Sequence, residues 1–279
     1  MLKALIVADL WKEIEQSSYW RHQIFNGGLS GPFTEYFACF NPQWKVDFWG
    51  QRVQPIDITY LSQHAIPLAY QATVSNTQEI LSKKVNELSL KLAEGQKVQI
   101  ASLACGTMYD VLGANYEDRT KISFTGYDLD QESLKLVSEK AGHLGYDSEQ
   151  INLEQCDITN SPLPKKTYDI VVCNGFSFYI GDADLSRLIK NVEKALKPNG
   201  TFLMSFIQPP ASWRMSDKEK EVNNIVQGIF DAVPMNWSSN LRSVNQVWDL
   251  ASAEGLTNLS VSWEIHRIHP LFVAHKQES

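Results

Sequence analysis

The sequence predicts an α/β fold in which a mostly parallel sheet carries helices on both faces and is preceded by a helical cap. Three observations carry that reading. Short, β-rich apolar runs alternate with helical stretches between residues 98 and 206, as parallel strands joined by crossover helices require. A turn of small residues, Leu103-Ala104-Cys105-Gly106, follows the first run and feeds a helix. The last apolar stretch, 258–276, divides into two strands joined directly, an antiparallel hairpin at the end of the sheet.

At the N-terminus, Leu2, Leu5, Ile6 and Leu10 suit one face of an amphipathic helix. Asp9 and Lys12 break this apolar stretch too early for a signal peptide or a membrane span. Eleven aromatic residues fall between Trp11 and Trp49, punctuated by Gly27, Gly28, Gly31 and Pro32. Residues 1–74 therefore read as an irregular, helical cap or lid. Its aromatics either pack the extension onto the rest of the chain or roof a pocket.

Residues 75–279 read as the main domain. A helix is expected over 76–94, with Ser75-x-x-Gln78 as a capping box and Gly95 as its stop. Ile80, Leu81, Val85, Leu88 and Leu92 give it a buried stripe. The strand-like runs are 98–103, 121–128, 151–157, 168–174 and 200–206, with helices expected near 107–115, 131–143 and 182–196. The stretch 205–243 is too long for a simple connection and follows the carboxyl end of a strand. It reads as a substrate-side insertion, with Trp213 and Arg214 as candidate substrate contacts. Arg214 and Arg242 suit an acidic substrate group, although solvated surface arginines are common.

The formal net charge is −7 and no run of lysine and arginine stands out, which argues against a nucleic-acid partner. Cys39, Cys105, Cys156 and Cys173 include no C-x-x-C pair, which fits reduced thiols better than a zinc site or a disulfide framework. With no leader or span, the chain reads as soluble and cytoplasmic. None of the six histidines pairs with a carboxylate at a ligand spacing, and no acidic cluster suggests magnesium, so no metal is expected. His22 and His64, in the cap, are the histidines best placed to act as bases.

In an open α/β sheet, ligands bind beyond the carboxyl ends of the strands. Gly106 allows the backbone of the first turn to pass close beneath a ligand, and the next helix points its amides there. Asp128 ends the second strand 22 residues later, where a carboxylate can accept both hydroxyls of a ribose. Asp130 is the better N-cap for the following helix, which leaves Asp128 free. Cys156-Asp157-Ile158 closes the third strand; Asp157 suits either an adenine amino group or the capping of its own loop. Asn174-Gly175-Phe176 closes the fourth.

Together, "LACG-T", "GYDLD", "CD-I", "YDIVVCNG" and "ALKPNGTFLMSF", in this order, resemble the class I S-adenosylmethionine-dependent methyltransferases over about 97–276. The resemblance implies a Rossmann-like methyltransferase sandwich of seven strands, in the order 3-2-1-4-5-7-6 with strand 7 antiparallel. It implies S-adenosylmethionine as cofactor and S-adenosylhomocysteine as product. Ala104, Cys105 and Gly106 would run beneath the methionine portion, Asp128 would hold the ribose and Leu129 would touch adenine. Asp157 and Ile158, after Cys156, would bracket the adenine, and Asn174, Gly175 and Phe176 would line the sulfonium. The family's first motif is an acidic residue followed by x-G-x-G-x-G. Here Ser102 stands at the acid, with Ala104, Gly106 and Met108 at the three glycines.

Methyl transfer needs positioning and exclusion of water more than a dedicated base. Phe176, Phe178 and Tyr179 are the aromatic faces nearest the expected sulfonium. Tyr179 is the candidate catalytic and substrate-binding residue, since its hydroxyl can bond an acceptor. The implied function is methyl transfer to a small or medium-sized metabolite. The alternative is a non-catalytic binding or scaffold protein on the same fold, which the departures at Ser102 and Met108 would permit. A dinucleotide-dependent oxidoreductase needs G-x-G-x-x-G, and only one of those glycines is present. Aminopropyl transfer on the same fold is a further alternative that nothing in the sequence selects.

Overall fold

The computed structural model describes residues 10–26, 31–232 and 240–278. The expected helix at the extreme N-terminus, Gly27 and Gly28, and part of the 205–243 insertion lie outside these residues. Seven strands form one sheet: β1 (Val98–Leu103), β2 (Ile122–Asp128), β3 (Ile151–Gln155), β4 (Tyr168–Cys173), β5 (Leu196–Ser205), β6 (Leu256–Ser262) and β7 (Leu271–Lys276). Their order is β3-β2-β1-β4-β5-β7-β6. β7 runs antiparallel to both β5 and β6, and the remaining pairs are parallel. This is the Rossmann-like methyltransferase topology.

The two-residue period of the strands explains why both faces need cover. Val98, Ile100, Ile170 and Val172 point to one side. They pack there against Leu81 and Val85 of a long helix and against Leu134, Val137 and Ala141 of another. Ala101, Leu103, Val171 and Cys173 point to the other side, beneath Leu185, Leu188, Ile189 and Val192. The helices include α1 (Ser18–Asn26), α2 (Gly31–Cys39), α3 (Pro55–Gln63), α4 (Ala65–Ser89), α5 (Tyr109–Leu112), α6 (Gln131–His143), α7 (Asp182–Ala195), α8 (Asp217–Ala232) and α9 (Val244–Ala253).

Helix α4 begins eleven residues before the expected start at 76 and stops six before Gly95. His64 caps it, its Nδ1 accepting the Ile66 amide at 3.3 Å, while Ser75 sits mid-helix and bonds back to the Gln71 carbonyl. The stripe continues toward the N-terminus through Ala69, Tyr70, Thr73 and Thr77, whose small and polar side chains hide the helical period. One rod thus spans two layers: its first half packs in the cap and its second half on the sheet.

The cap is an aromatic cluster. Trp20 is wholly buried and lies 5.0 Å from the Tyr60 ring, and Tyr36 contacts Phe40, Trp44, Phe48 and Trp49. Val222, Val226 and Ile229 of α8 complete the cluster, so the insertion packs with the N-terminal layer. Two further expectations are corrected. The helix expected over 107–115 is a single turn, since Gly113 already caps it. The terminal strands are not joined directly: residues 263–270 intervene, and buried Glu264 accepts the amides of His266, Ile268 and His269.

Candidate functional site

A cavity of about 320 Å³ opens where the carboxyl ends of β1, β2 and β4 meet the cap. Its floor is the turn after β1. Ala104, Gly106 and Met108 take left-handed backbone conformations there, with φ of 47°, 50° and 51°. These are the three positions at which the family carries glycine. Two of them hold residues with a Cβ, at a cost of about 1–2 kcal/mol each.

The turn is fixed by Asp128. Its Oδ2 accepts the Gly106 amide at 2.7 Å and its Oδ1 accepts the Asp130 amide at 2.9 Å. Each oxygen keeps a second lone pair, and the residue lines the cavity. Asp130 caps α6 through the Glu132 amide and the Ser133 hydroxyl, which leaves Asp128 as the carboxylate that faces the cavity uncommitted to a helix end. Cys105 and Cys156 continue the ladder past the strand ends, to the carbonyls of Tyr127 and Asp128.

Leu129, 64% exposed, and Ile158, 3% exposed, sit on the cavity wall with Cys156 and Asp157. Asp157 is engaged in its own loop. Its Oδ1 accepts from the Thr159 amide and hydroxyl and its Oδ2 from the Asn160 side chain, and these bonds hold its pKa below the usual carboxylate range. The loop-capping reading therefore accounts for both of its oxygens.

On the far wall, Asn174 Nδ2 donates to Asp110 Oδ2 at 2.7 Å and to Thr77 Oγ1 at 3.0 Å. Its Oδ1 is buried and has no partner. Burial raises the Asp110 pKa, and among the described residues this carboxylate has no ion-pair partner; Lys140 is already held by Glu35. Gly175 (φ 69°) brings its backbone against Tyr70, whose hydroxyl would lie 3.1 Å from any added Cβ. Phe176 and Tyr179 complete this wall. The roof is α2, through Gly31, Thr34, Glu35 and Ala38, together with Tyr70 and Val74 of α4.

Sequence reasoning missed Asp110, Tyr70 and the α2 residues. Asp110 carries one local signal: it lies four residues after Gly106, on the helix fed by the first turn.

Six expected positions lie elsewhere. Met108 does not line the cavity; it is wholly buried, and its sulfur lies so close beneath Gly126 that a Cβ there would meet it at 2.8 Å. Trp213 packs against Ala65 and Ile207 and donates its ring N–H to the Gln208 carbonyl, away from the cavity. Arg214 is exposed and is tied through its backbone amide to His266. Arg242 is buried and offers nothing to a ligand. Its guanidinium donates to Ser177 O, Ile180 O and Asp182 Oδ1 at 2.6–2.7 Å, clamping the 177–182 loop. Neither cap histidine lines the cavity: His64 caps α4 and His22 stacks on Phe33.

These features fit a nucleoside-bearing cofactor with an amino-acid tail. One end of the cavity offers a carboxylate between apolar walls, and the other an unpaired carboxylate and an orphaned amide oxygen. Among the described residues, no group of three metal-ligating side chains occurs, and no helix is long and apolar enough to cross a membrane.

Comparison with known proteins agrees with this geometry. The methyltransferase domain family matches residues 95–270, and the chain belongs to that family, within the class of S-adenosylmethionine-dependent methyltransferases. A sphingolipid C9-methyltransferase from Komagataella phaffii is 22% identical over 146 residues, 50% of this chain; the chain spans only 29% of that protein. The crystal structure of a possible exported protein from Bordetella parapertussis superposes with a TM-score of 0.84 at 22% identity, over 96% of this chain and 86% of that one. Magnesium protoporphyrin IX methyltransferase from Synechocystis PCC 6803, solved with S-adenosylhomocysteine, gives 0.51 at 11% identity, over 77% and 88%. At these identities the structural matches speak for the fold.

Proposed function

We propose that this chain transfers a methyl group from S-adenosylmethionine to a small or medium-sized metabolite and releases S-adenosylhomocysteine. The observation that carries the proposal is the Asp128 lock. The carboxylate that fixes the first turn also faces the cavity with free lone pairs, at the strand end where a ribose is bound in such sheets.

In this reading Asp128 accepts the ribose hydroxyls, and Leu129 and Ile158 flank the adenine. The left-handed turn 104–106 passes beneath the methionine portion. Asp110, with no cation of its own, takes the ammonium of that portion, the task usually given to the acid that Ser102 replaces. When bound, S-adenosylmethionine supplies an electrophilic methyl group on a sulfonium whose charge is lost on transfer. Phe176, Tyr70 and Tyr179 surround that region with ring faces and hydroxyls, which favour a cation by about 0.5–2 kcal/mol. The cap excludes water, which strengthens each of these contacts.

A net charge of −7 and a cavity partly roofed by the cap favour a small-molecule acceptor over a nucleic acid. The scaffold alternative is not favoured, because the cavity keeps the carboxylate at the strand end and a partial roof from the cap. The test is a coupled assay of S-adenosylhomocysteine release across a metabolite panel. Turnover that needs both the chain and one acceptor class supports the reading. Tight cofactor binding without turnover on any acceptor favours the scaffold.

A further inference from the structure

Beyond the main cavity lies a smaller pocket of about 40 Å³. The two share Thr34, Tyr70, Gly175 and Tyr179 in their walls, so they adjoin across the Asn174–Gly175 turn. Phe37, Ile66, Phe178 and Ile207 supply its apolar surface. The space corresponds to roughly three waters, so a group as large as a ring fits only where it extends into the adjoining main cavity.

Among the described residues, no Asp, Glu, Lys or Arg lines this pocket. Two of its titratable groups, His269 and Tyr70, are uncharged at neutral pH: burial pushes the His269 imidazole down to about 3 and the Tyr70 phenol well above its usual range. A charged group entering here would lose its water and meet no counter-charge among the described residues. The pocket therefore discriminates against ions.

His269 is a buried polar side chain in the wall with an unpartnered nitrogen. It is 3% exposed, and its Nδ1 has no hydrogen bond. Its position is nonetheless fixed. The His269 amide donates to Glu264 at 3.0 Å, its carbonyl accepts from Thr73, and Tyr70 and Phe178 meet the ring edge-on at 5.5 and 6.4 Å. That Nδ1 is sealed off from the pocket space, so a ligand there would meet the ring through its other nitrogen, which has no hydrogen bond among the described residues.

We infer that this pocket holds the acceptor end of the substrate, an uncharged, mainly apolar group bearing a hydroxyl that hydrogen-bonds to the ring of His269. The inference rests on the methyltransferase reading and narrows its substrate class. His269 is a specificity-determining residue here: it selects the hydroxylated group and orients it beside the cofactor cavity.

The experiment is titration calorimetry on the full chain. Binding of S-adenosylhomocysteine is measured first, and phenol, toluene and benzoate are then titrated into the loaded protein. The inference predicts that phenol binds about fivefold to tenfold more tightly than toluene, as one added hydrogen bond gives, and that benzoate is excluded. His269→Phe keeps the ring and the backbone bonds and should bring phenol and toluene within about twofold. In wild type labelled with ¹⁵N-histidine, phenol should shift the His269 ring nitrogens and toluene should not, a readout that needs no variant. Equal binding of phenol and toluene, comparable binding of benzoate, or no phenol binding overturns the acceptor pocket alone when S-adenosylhomocysteine binds. Failure of S-adenosylhomocysteine itself overturns both readings.

Discussion

The Gly106 amide lies 2.7 Å from Asp128 Oδ2, so the turn after β1 is tied to the end of β2 by a charge-assisted hydrogen bond. The same carboxylate holds the Asp130 amide, and Asp130 in turn starts α6. A single side chain thus orders the floor of the cavity and faces into it. Asp128→Asn keeps the size but loses the charge and one acceptor. We expect it to weaken S-adenosylhomocysteine binding by about tenfold or more and to lower the unfolding temperature only modestly, as calorimetry and thermal denaturation would read.

Asp110 gives a sharper test because it lies at the other end of the cavity. Asp110→Asn should lower the affinity for S-adenosylhomocysteine by about tenfold, the value of one charge-assisted contact. It should leave methylthioadenosine, which lacks the amino-acid portion, unaffected. Equal losses for the two ligands would mean that Asp110 only holds Asn174.

The left-handed backbone at Ala104 makes a prediction about stability. Glycine adopts φ of 47° without the Cβ clash, and its greater freedom in the unfolded chain offsets part of that gain. Ala104→Gly should therefore leave the fold unchanged or stabilise it by up to about 1 kcal/mol in urea denaturation. Met108→Gly should destabilise it by about 2–4 kcal/mol, because the buried side chain is lost with the strain.

Arg242 should behave as a structural clamp. Arg242→Ala strands the Ser177 and Ile180 carbonyls and should cost about 2–4 kcal/mol by chemical denaturation. Since Phe178 and Tyr179 lie in the clamped loop, acceptor binding should weaken more than cofactor binding.

Acid sensitivity follows from three buried groups of opposing sign. Burial holds His64 down at about 4 and His269 at about 3, so the unfolded chain takes up protons that the fold refuses as pH drops below the usual imidazole value of 6.5. Their contribution is complete above pH 6.5 and is lost toward pH 4 and 3. Burial raises Asp57 to about 6, so its protonation favours the fold as pH drops from 6 toward 3.8, and this contribution disappears again as pH rises through 6. Asp57→Asn removes the group that offsets the histidines. Its unfolding temperature should fall more steeply than that of wild type between pH 6 and 4.

Much of this was legible in the residues. The strand-like runs in 98–206 have strong periods, and Asp130 takes the helix cap and leaves Asp128 facing the cavity, as their spacing implies. The roof of the cavity was not legible, because Thr34, Glu35 and Tyr70 reach it by tertiary packing of helices that are aromatic on several sides. Met108 misled because it occupies a glycine position while its side chain folds under Gly126, which no local pattern reveals. Arg242 misled because a buried arginine bonded to carbonyls looks, in sequence, like any surface arginine.

The central claim is that Asp128 anchors an S-adenosylmethionine site. Isothermal titration of S-adenosylmethionine and S-adenosylhomocysteine into wild type and Asp128→Ala tests it most directly. The account predicts micromolar-range binding of both ligands to wild type, weakened at least about tenfold in the folded variant. Binding of neither ligand to folded wild type, or equal affinity in the two proteins, would contradict it.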